Sequence, residues 1–435
     1  MNIKRQRVQY YQHLVIVVFS RFLKVLKRHK VQILIVLLGL IILFLRRPDA
    51  VLNAQLFAED GREWLQDALN AHYSIATLSY TFAGYLAVFP RLITLLAGLL
   101  PLQFTPIVLN LVALSVQLLP LVYLWSKRAD AINLKFKIFA TVFYLCLPFS
   151  SEIHANITNS QWYLSLVLFI LIYIKESNNR FITLLERSLM LVASLSGPFS
   201  ILLMPALLID SWRTKRIPIK YRIVIIGAIT QAVYIILSLG TRPHQNIGYS
   251  ITLLLQIIGG QIFSAGLYGA NSLHLFLAKA WITPIISVLG LELVLYVFIK
   301  ASWTVKYFII FASLILFSSL LSPDGIPIGS TWWKVLSTQG VGARYFFIPH
   351  LAFLLCLGWI MFAKNRVNII IKGVVILLVL LAIPTGLRTD FVHASYADLH
   401  YKSYIQKFRK LKPGQQLIVP TNPGPPWQVI LRKGN

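Results

Sequence analysis

The segment Phe57-Ala58-Glu59-Asp60-Gly61-Arg62-Glu63-Trp64 sets three carboxylates within five residues. The chain holds 14 Asp and Glu in 435 residues, and five of them (Asp49, Glu59, Asp60, Glu63, Asp67) lie between positions 49 and 67. A carboxylate in such a loop can serve as a general base, taking the proton of a hydroxyl as its oxygen attacks an electrophilic carbon. It can also ligate a metal ion. The plain alternative is a solvated acidic turn, for which Asp60-Gly61 is equally suited. The scarcity of acid elsewhere favours the chemical readings, with Asp60 as the candidate base and Glu59 as its neighbour or substitute.

A second polar stretch runs from Glu152 to Trp162. In it His154, Asn156, Asn159 and Gln161 can hydrogen-bond sugar hydroxyls, and Trp162 can stack on a sugar face. An interfacial loop with a belt tryptophan has the same composition. Asn156-Ile157-Thr158 is also a glycosylation sequon. A third candidate is Arg344-Tyr345, at the start of an apolar run. An arginine there can grip a phosphate with paired hydrogen bonds, or simply snorkel to the interface. Arg242 and His244 are weaker candidates of the same kind. Glu292 lies inside the apolar run 289–297, where a carboxylate is costly, and the sequence names no partner for it. Cys146 and Cys356 sit in apolar runs, as packing residues do. No phosphate-binding Gly-rich loop, zinc-protease helix, nucleophile elbow or His/Cys cluster is present.

The elements that must position these residues are membrane helices. The chain is 57% hydrophobic and 13% charged, with a mean hydropathy of +0.71, against about 25% charged in soluble domains. The expected fold is an all-α polytopic membrane bundle. The net charge of +27 follows from Lys and Arg gathering in inner loops, so nucleic acid is not an expected partner. Residues 1–30 carry eight Lys and Arg and read as a cytoplasmic basic amphipathic segment on anionic lipid. No small-residue cleavage site follows the first apolar run, so a cleaved leader is not expected.

The spans read as 31–45, 104–125, 138–150, 162–174, 183–196, 199–212, 223–239, 280–299, 307–321, 345–362 and 372–387, eleven in all. They make up a transmembrane region over 31–387, and 46–103 is the first outer loop. Residues 86–101 are apolar but short and broken by Pro90-Arg91. Reading them as an interfacial or re-entrant helix keeps the basic clusters inside. The N-terminus is then cytoplasmic and the C-terminus outside. Residues 250–277 should hold a bent, outward-facing helix or hairpin. The tail 388–435 should fold back on the outer face, with a helix over 396–411 and a strand over 416–420. On this topology every polar stretch named above faces one side of the membrane, as loops that build a cavity must.

With these residues in view the chain resembles the GT-C class of membrane glycosyltransferases. That class includes protein O-mannosyltransferases, the aminoarabinose transferase of lipid A, and oligosaccharyltransferase catalytic subunits. The likeness lies in the acidic first outer loop, the surface helices after it and the multi-helix core. The chain is also similar over most of its length to bacterial multi-spanning proteins sharing five motifs. They are Phe-Ala-Glu-Asp-Gly (57–61), Gly-Tyr-Leu…Pro-Arg-Leu (84–92), Asn-Ile-Thr-Asn-Ser-Gln-Trp (156–162), Ser-Leu-Ser-Gly-Pro-Phe (194–199) and Arg-Tyr-Phe (344–346).

The resemblance implies a plasma-membrane enzyme of the bacterial cell envelope. It would move a hexose or pentose, with inversion, from a polyprenyl-phosphate donor to a glycan, lipid or protein acceptor. It makes Asp60 the base and Arg344 a donor-phosphate contact. It implies no cofactor with certainty: the second acidic motif of the metal-dependent members has no counterpart, Glu152 being the only acid in the second outer loop. Two other functions compete. A flippase for lipid-linked sugars would use polar residues within helices that break in matching halves. A glycan polymerase or ligase would pair Arg and His in a long late outer loop.

Overall fold

The computed structural model describes residues 29–239, 246–269, 281–321, 330–338, 342–363 and 367–433. Arg242, His244 and most of the basic N-terminal segment lie outside the described residues. In chain order the main helices begin with α1 (His29–Arg46), α2 (Val88–Ala97), α3 (Thr105–Leu124), α4 (Leu134–Leu145) and α5 (Ser160–Tyr173). Next come α6 (Arg180–Ser194), α7 (Phe199–Thr214), α8 (Ile219–Leu237), α9 (Ile251–Tyr268) and α10 (Ile282–Lys300). The last are α11 (Trp303–Leu321), α12 (Ala343–Phe362), α13 (Ile369–Asp390) and α14 (Tyr401–Arg409). The described chain is 71% helix. Two small hairpins, β1–β2 (Thr81–Phe82 with Tyr85–Leu86) and β3–β4 (Gln416–Pro420 with Gln428–Arg432), are its sheets. Among the described residues, eight helices are long and apolar enough to cross a membrane: α1, α3 and α8 to α13. They mark the chain as an integral membrane protein.

The bundle has two chemically distinct poles. At the first, Arg128 pairs with Glu186 and Arg187 with Glu176 at 3.1 Å. There the Lys220 amine closes the C-terminus of α5, donating to the Leu171 and Ile174 carbonyls at 2.7 and 2.6 Å. A cation at that end satisfies orphan carbonyls and complements the helix dipole. Three helices start at this pole on asparagine caps. Asn133, Asn179 and Asn368 accept from Lys135, Phe181 and Ile370 amides at 2.8, 2.9 and 2.8 Å, each worth about 1 kcal/mol. The second pole gathers the acidic loop, the 152–162 loop, the 195–199 turn, Arg344 and the C-terminal tail.

Two elements stay at the second pole. Helix α2 has ten residues. At about 1.5 Å per residue it spans roughly half of a hydrocarbon core. Its entry is docked on the 195–197 turn, where Val88 N donates to Leu195 O at 3.2 Å and Phe89 N to Ser196 Oγ at 2.8 Å. Helix α9 is one bent helix, π-wound over Gln256–Ser264. Its N-terminal approach carries Asn246 and Ile247, whose carbonyls accept from Trp332 and Trp333 amides at 3.0 Å. Its C-terminal Tyr268 carbonyl accepts from Thr389 Oγ1 at 3.4 Å. Both contacts lie at the second pole, so α9 does not run from pole to pole. Glycines let it lie close on α10: a Cβ at Gly259 would sit 2.2 Å from Thr283 O, and one at Gly290 would sit 2.2 Å from the Phe263 ring.

The tail differs in detail from the sequence reading. Its strand forms over Gln416–Pro420 and gains a partner in Gln428–Arg432. Its helix starts at Tyr401 rather than 396, because Tyr396 is tied down elsewhere. Its amide donates to Asp49 Oδ2 at 2.9 Å, its ring stacks on Phe57 at 5.1 Å, and Arg47 lies 4.2 Å above that ring.

Candidate functional site

The acidic loop is held from both sides. The tail runs beside it: Ala58 N donates to Asn422 O at 2.6 Å, and Asn422 N to Leu56 O at 3.0 Å. Ala58 takes φ +45°, a left-handed backbone that costs an L-residue roughly 1–2 kcal/mol. Gly61 lets the tail approach, since a Cβ there would lie 2.6 Å from the Thr421 methyl. The chain then enters a π-helical turn, Asp60–Leu65.

This geometry turns Asp60 inward, where it is fully buried. Its Oδ1 accepts from Thr158 N at 2.9 Å and from Thr158 Oγ1 at 2.6 Å. Trp64 Nε1 donates to the same Thr158 hydroxyl at 2.9 Å. Oδ2 is buried with no hydrogen-bond partner. Burial pushes the carboxyl up to about 7; the Thr158 hydrogen bonds oppose this and the charge of Glu59 adds to it. A carboxyl that titrates there, with one oxygen uncommitted, has the acidity of a general base working near neutrality. A Thr158→Val variant is expected to raise the Asp60 pKa by about one unit, the worth of one hydrogen bond to a charged group. A carbon-detected NMR titration of the carboxyl measures it, and an unmoved midpoint would dismiss Thr158 as the group that tunes Asp60.

The 152–162 loop uses its amides on itself. Asn156 Nδ2 donates to Glu152 O at 2.9 Å, and its Oδ1 accepts from Asn159 N and Nδ2 at 3.0 and 2.9 Å. Asn159 Nδ2 also reaches Glu152 O at 3.0 Å. Both side chains therefore shape the loop that presents Thr158. His154 turns away from the acids. Its Nε2 meets Leu43 O at 3.1 Å and its ring lies edge-on to His393 at 5.1 Å. Burial, with Arg46 and Arg47 nearby, holds its imidazole well below the ordinary range and neutral.

Gln161 is half-buried against the 195–199 turn; a Cβ on Gly197, which holds φ +108°, would fall 2.5 Å from Gln161 Oε1. Trp162 packs edge-on to Phe199 and Tyr345 at 4.8 and 5.8 Å, and its buried Nε1 has no partner. Tyr345 is also edge-on to Trp332 at 5.8 Å, which completes an aromatic wall.

Arg344, in the first turn of α12, forms an ion pair with Glu152. Its backbone amide donates to Glu152 Oε2 at 2.9 Å, and its Nη2 to Tyr345 Oη at 3.0 Å. The side chain keeps about a third of its surface exposed (32%). Glu59 acts electrostatically on both Asp60 and Arg344. The acidic loop, Glu152 and Arg344 are thus one charged cluster, assembled from three segments that are distant in sequence. Among the described residues no three His, Cys, Asp or Glu side chains gather as a metal site.

Thr158, Trp64, Glu152 and the tail residues Thr421 and Asn422 belong to this site without having been singled out from the sequence as site residues. The signals for Thr158 were its place in the Asn156-Ile157-Thr158 sequon and in the Asn-Ile-Thr-Asn-Ser-Gln-Trp motif. No protein-family model matches this chain, and neither does a curated protein or a solved structure.

Proposed function

We propose that the chain is an inverting glycosyltransferase of the outer membrane face, with Asp60 as its base and a polyprenyl-phosphate sugar as its donor. The observation that carries this reading is the Asp60 carboxyl: buried, titrating near 7, and with Oδ2 free of any hydrogen bond, beside the Glu59–Glu152–Arg344 cluster. In the reaction Oδ2 takes the proton of an acceptor hydroxyl as that oxygen bonds to the anomeric carbon. The polyprenyl phosphate leaves with the electrons of the broken C–O bond. The Arg344 guanidinium offsets the charge on that phosphate, with Tyr345 steadying it. Trp162 and Gln161 flank the sugar position. The tail covers Asp60 through the Ala58–Asn422 and Asn422–Leu56 hydrogen bonds, so admitting a hydroxyl requires Thr421–Asn422 to lift.

In this reading the helices α1, α3 to α8 and α10 to α13 make eleven crossings, while α2 and α9 stay at the outer interface. The contacts in both poles support the alternation. The basic pole would be cytoplasmic by the positive-inside rule and the acidic pole outside, at a bacterial plasma membrane. Single cysteines at the exposed positions Ser151, Asp130 and Pro218 test it. The first should react with an impermeant maleimide from outside, the other two only after permeabilisation. Labelling of 151 and 130 from the same side would overturn the topology.

The flippase alternative draws on the π-wound α9, whose Gln261 carbonyl meets His350 Nε2 at 2.7 Å in the bundle. Protein in liposomes supplied with labelled polyprenyl-phosphate sugar and an envelope fraction separates the two. Label passing to an acceptor supports transfer. Lipid crossing the bilayer with no acceptor labelled supports movement.

A further inference from the structure

The π-turn that buries Asp60 presents a different row of side chains on its other side. Arg62 in the turn, and Gln66 and Asn70 in the helical segment Gln66–Asn70 that continues it, recur every fourth residue, which stacks them on one face. Opposite them stands β4, whose alternate residues Gln428, Ile430 and Arg432 share one face of the strand. The two rows line a groove of about 440 Å³ at the outer pole.

The groove is held in register. Gln66 Oε1 accepts from Ile430 N at 2.6 Å and its Nε2 donates to Ile430 O at 3.0 Å, as a neighbouring strand would. The same Nε2 reaches Asn70 Oδ1 at 3.1 Å. Arg62 lies 5.2 Å over the Trp427 ring, and its nearest carboxylate, Glu63, is 3.5 Å away. Arg432 and Gln428 are exposed, and among the described residues neither side chain has a hydrogen bond or ion pair.

We infer that this groove binds a saccharide bearing carboxylates, and that it holds the acceptor glycan. The lining chemistry selects the class. Two guanidiniums and three carboxamides line the groove and no carboxylate does, so it favours an anion that also carries hydroxyls. Guanidinium groups pair with carboxylates in bidentate fashion, and side-chain amides serve both the donor and the acceptor side of a hydroxyl. A bare anionic lipid surface asks for a cluster of mobile cations; this groove instead holds one amide, Gln66, locked to the Ile430 backbone, with Asn70 bonded to it in turn. The identity of the saccharide as acceptor rests on the glycosyltransferase reading. Its binding does not.

Calorimetric titration of the full chain in zwitterionic nanodiscs tests this with trigalacturonate, its methyl ester and anionic phosphatidylglycerol vesicles. The acid should bind at least tenfold more tightly than the ester. The double variant Arg62→Gln/Arg432→Gln should lose that preference while keeping the wild-type melting temperature. Equal binding of acid and ester by the wild type, unchanged binding by the double variant, or competition by the vesicles alone would overturn the proposal. Asp60→Asn should bind the acid as the wild type does. If that variant also retains full transfer, the catalytic reading fails while the groove stands as a glycan site. If it loses transfer but the acid never binds, the groove fails alone.

Discussion

Asp60→Asn is expected to lower glycan transfer by about 10²–10⁴-fold, the usual worth of a general base, and at the same time to stabilise the protein at pH 8. The two effects have one origin. The carboxyl ordinarily titrates at 3.8 and in this fold near 7, so at 1.36 kcal/mol per pH unit its ionised form costs the fold on the order of 4 kcal/mol. A group whose folded pKa lies above its unfolded one stabilises fully below the unfolded value. That contribution is lost as pH rises through the folded value. As far as this group is concerned, the wild type should therefore be most stable below its ordinary value of 3.8, lose stability from there up to pH about 7, and then level off. The amide cannot ionise and should remove that slope, while its Oδ1 still accepts from Thr158. Transfer by the wild type should rise with pH over the same window, because only the carboxylate takes a proton. Thermal unfolding in detergent between pH 5 and 8, with transfer measured on the same preparations, checks both. Wild type and variant melting in parallel across that window would remove the buried titrating carboxyl. Full transfer by the variant would remove the base.

Much of this site was legible because the chain uses acid so sparingly. The concentration at 49–67 pointed to Asp60, and topology by charge placed the 152–162 loop and Arg344 on the same side. The structure joins those segments, through Thr158 to Asp60 and through Glu152 to Arg344. Which side chains would be consumed by the fold could not be read. Asn156 and Asn159 have the same donors and acceptors whether they meet a sugar or the carbonyl of Glu152, and only the turn geometry decides. The tail was harder still. Its first strand was visible as an apolar run, but β4 and the contacts of Asn422 with residues 56–58 depend on long-range pairing that no local pattern encodes. The sequence suggested a helix or hairpin within 250–277, and its glycines suggested a bend. Its return to the pole it started from follows from contacts with Trp332, Trp333 and Thr389.

Arg46→Leu should be the most damaging substitution outside the acidic loop, costing about 3–5 kcal/mol. Helix α4 ends at Leu145, well short of a full crossing, and the chain continues as buried irregular backbone through Pro148 and Phe149, the latter at φ +56°. Such backbone is tolerated at membrane depth only where its polar groups are satisfied within the protein. Arg46 does this from the last turn of α1. Its Nη1 donates to Leu145 O at 2.8 Å, its Nη2 to Leu147 O at 2.8 Å and Asp390 O at 3.3 Å, and its Nε to Phe391 O at 3.1 Å. One guanidinium thus ties α1, the broken end of α4 and the start of the tail. Leucine would fill part of the volume but strand four carbonyls, each costing roughly 1–3 kcal/mol when left without a donor. Lysine should recover only a fraction, because a single ammonium cannot reproduce the planar fork that reaches four carbonyls on two segments. The same carbonyls lie beside the 150–154 turn that leads into Thr158, so the leucine variant should also blunt the pH slope assigned to Asp60. Melting temperatures of the leucine and lysine variants, read by tryptophan fluorescence, decide the matter. A leucine variant within 1 kcal/mol of wild type would mean that these carbonyls find other donors and that Arg46 is dispensable.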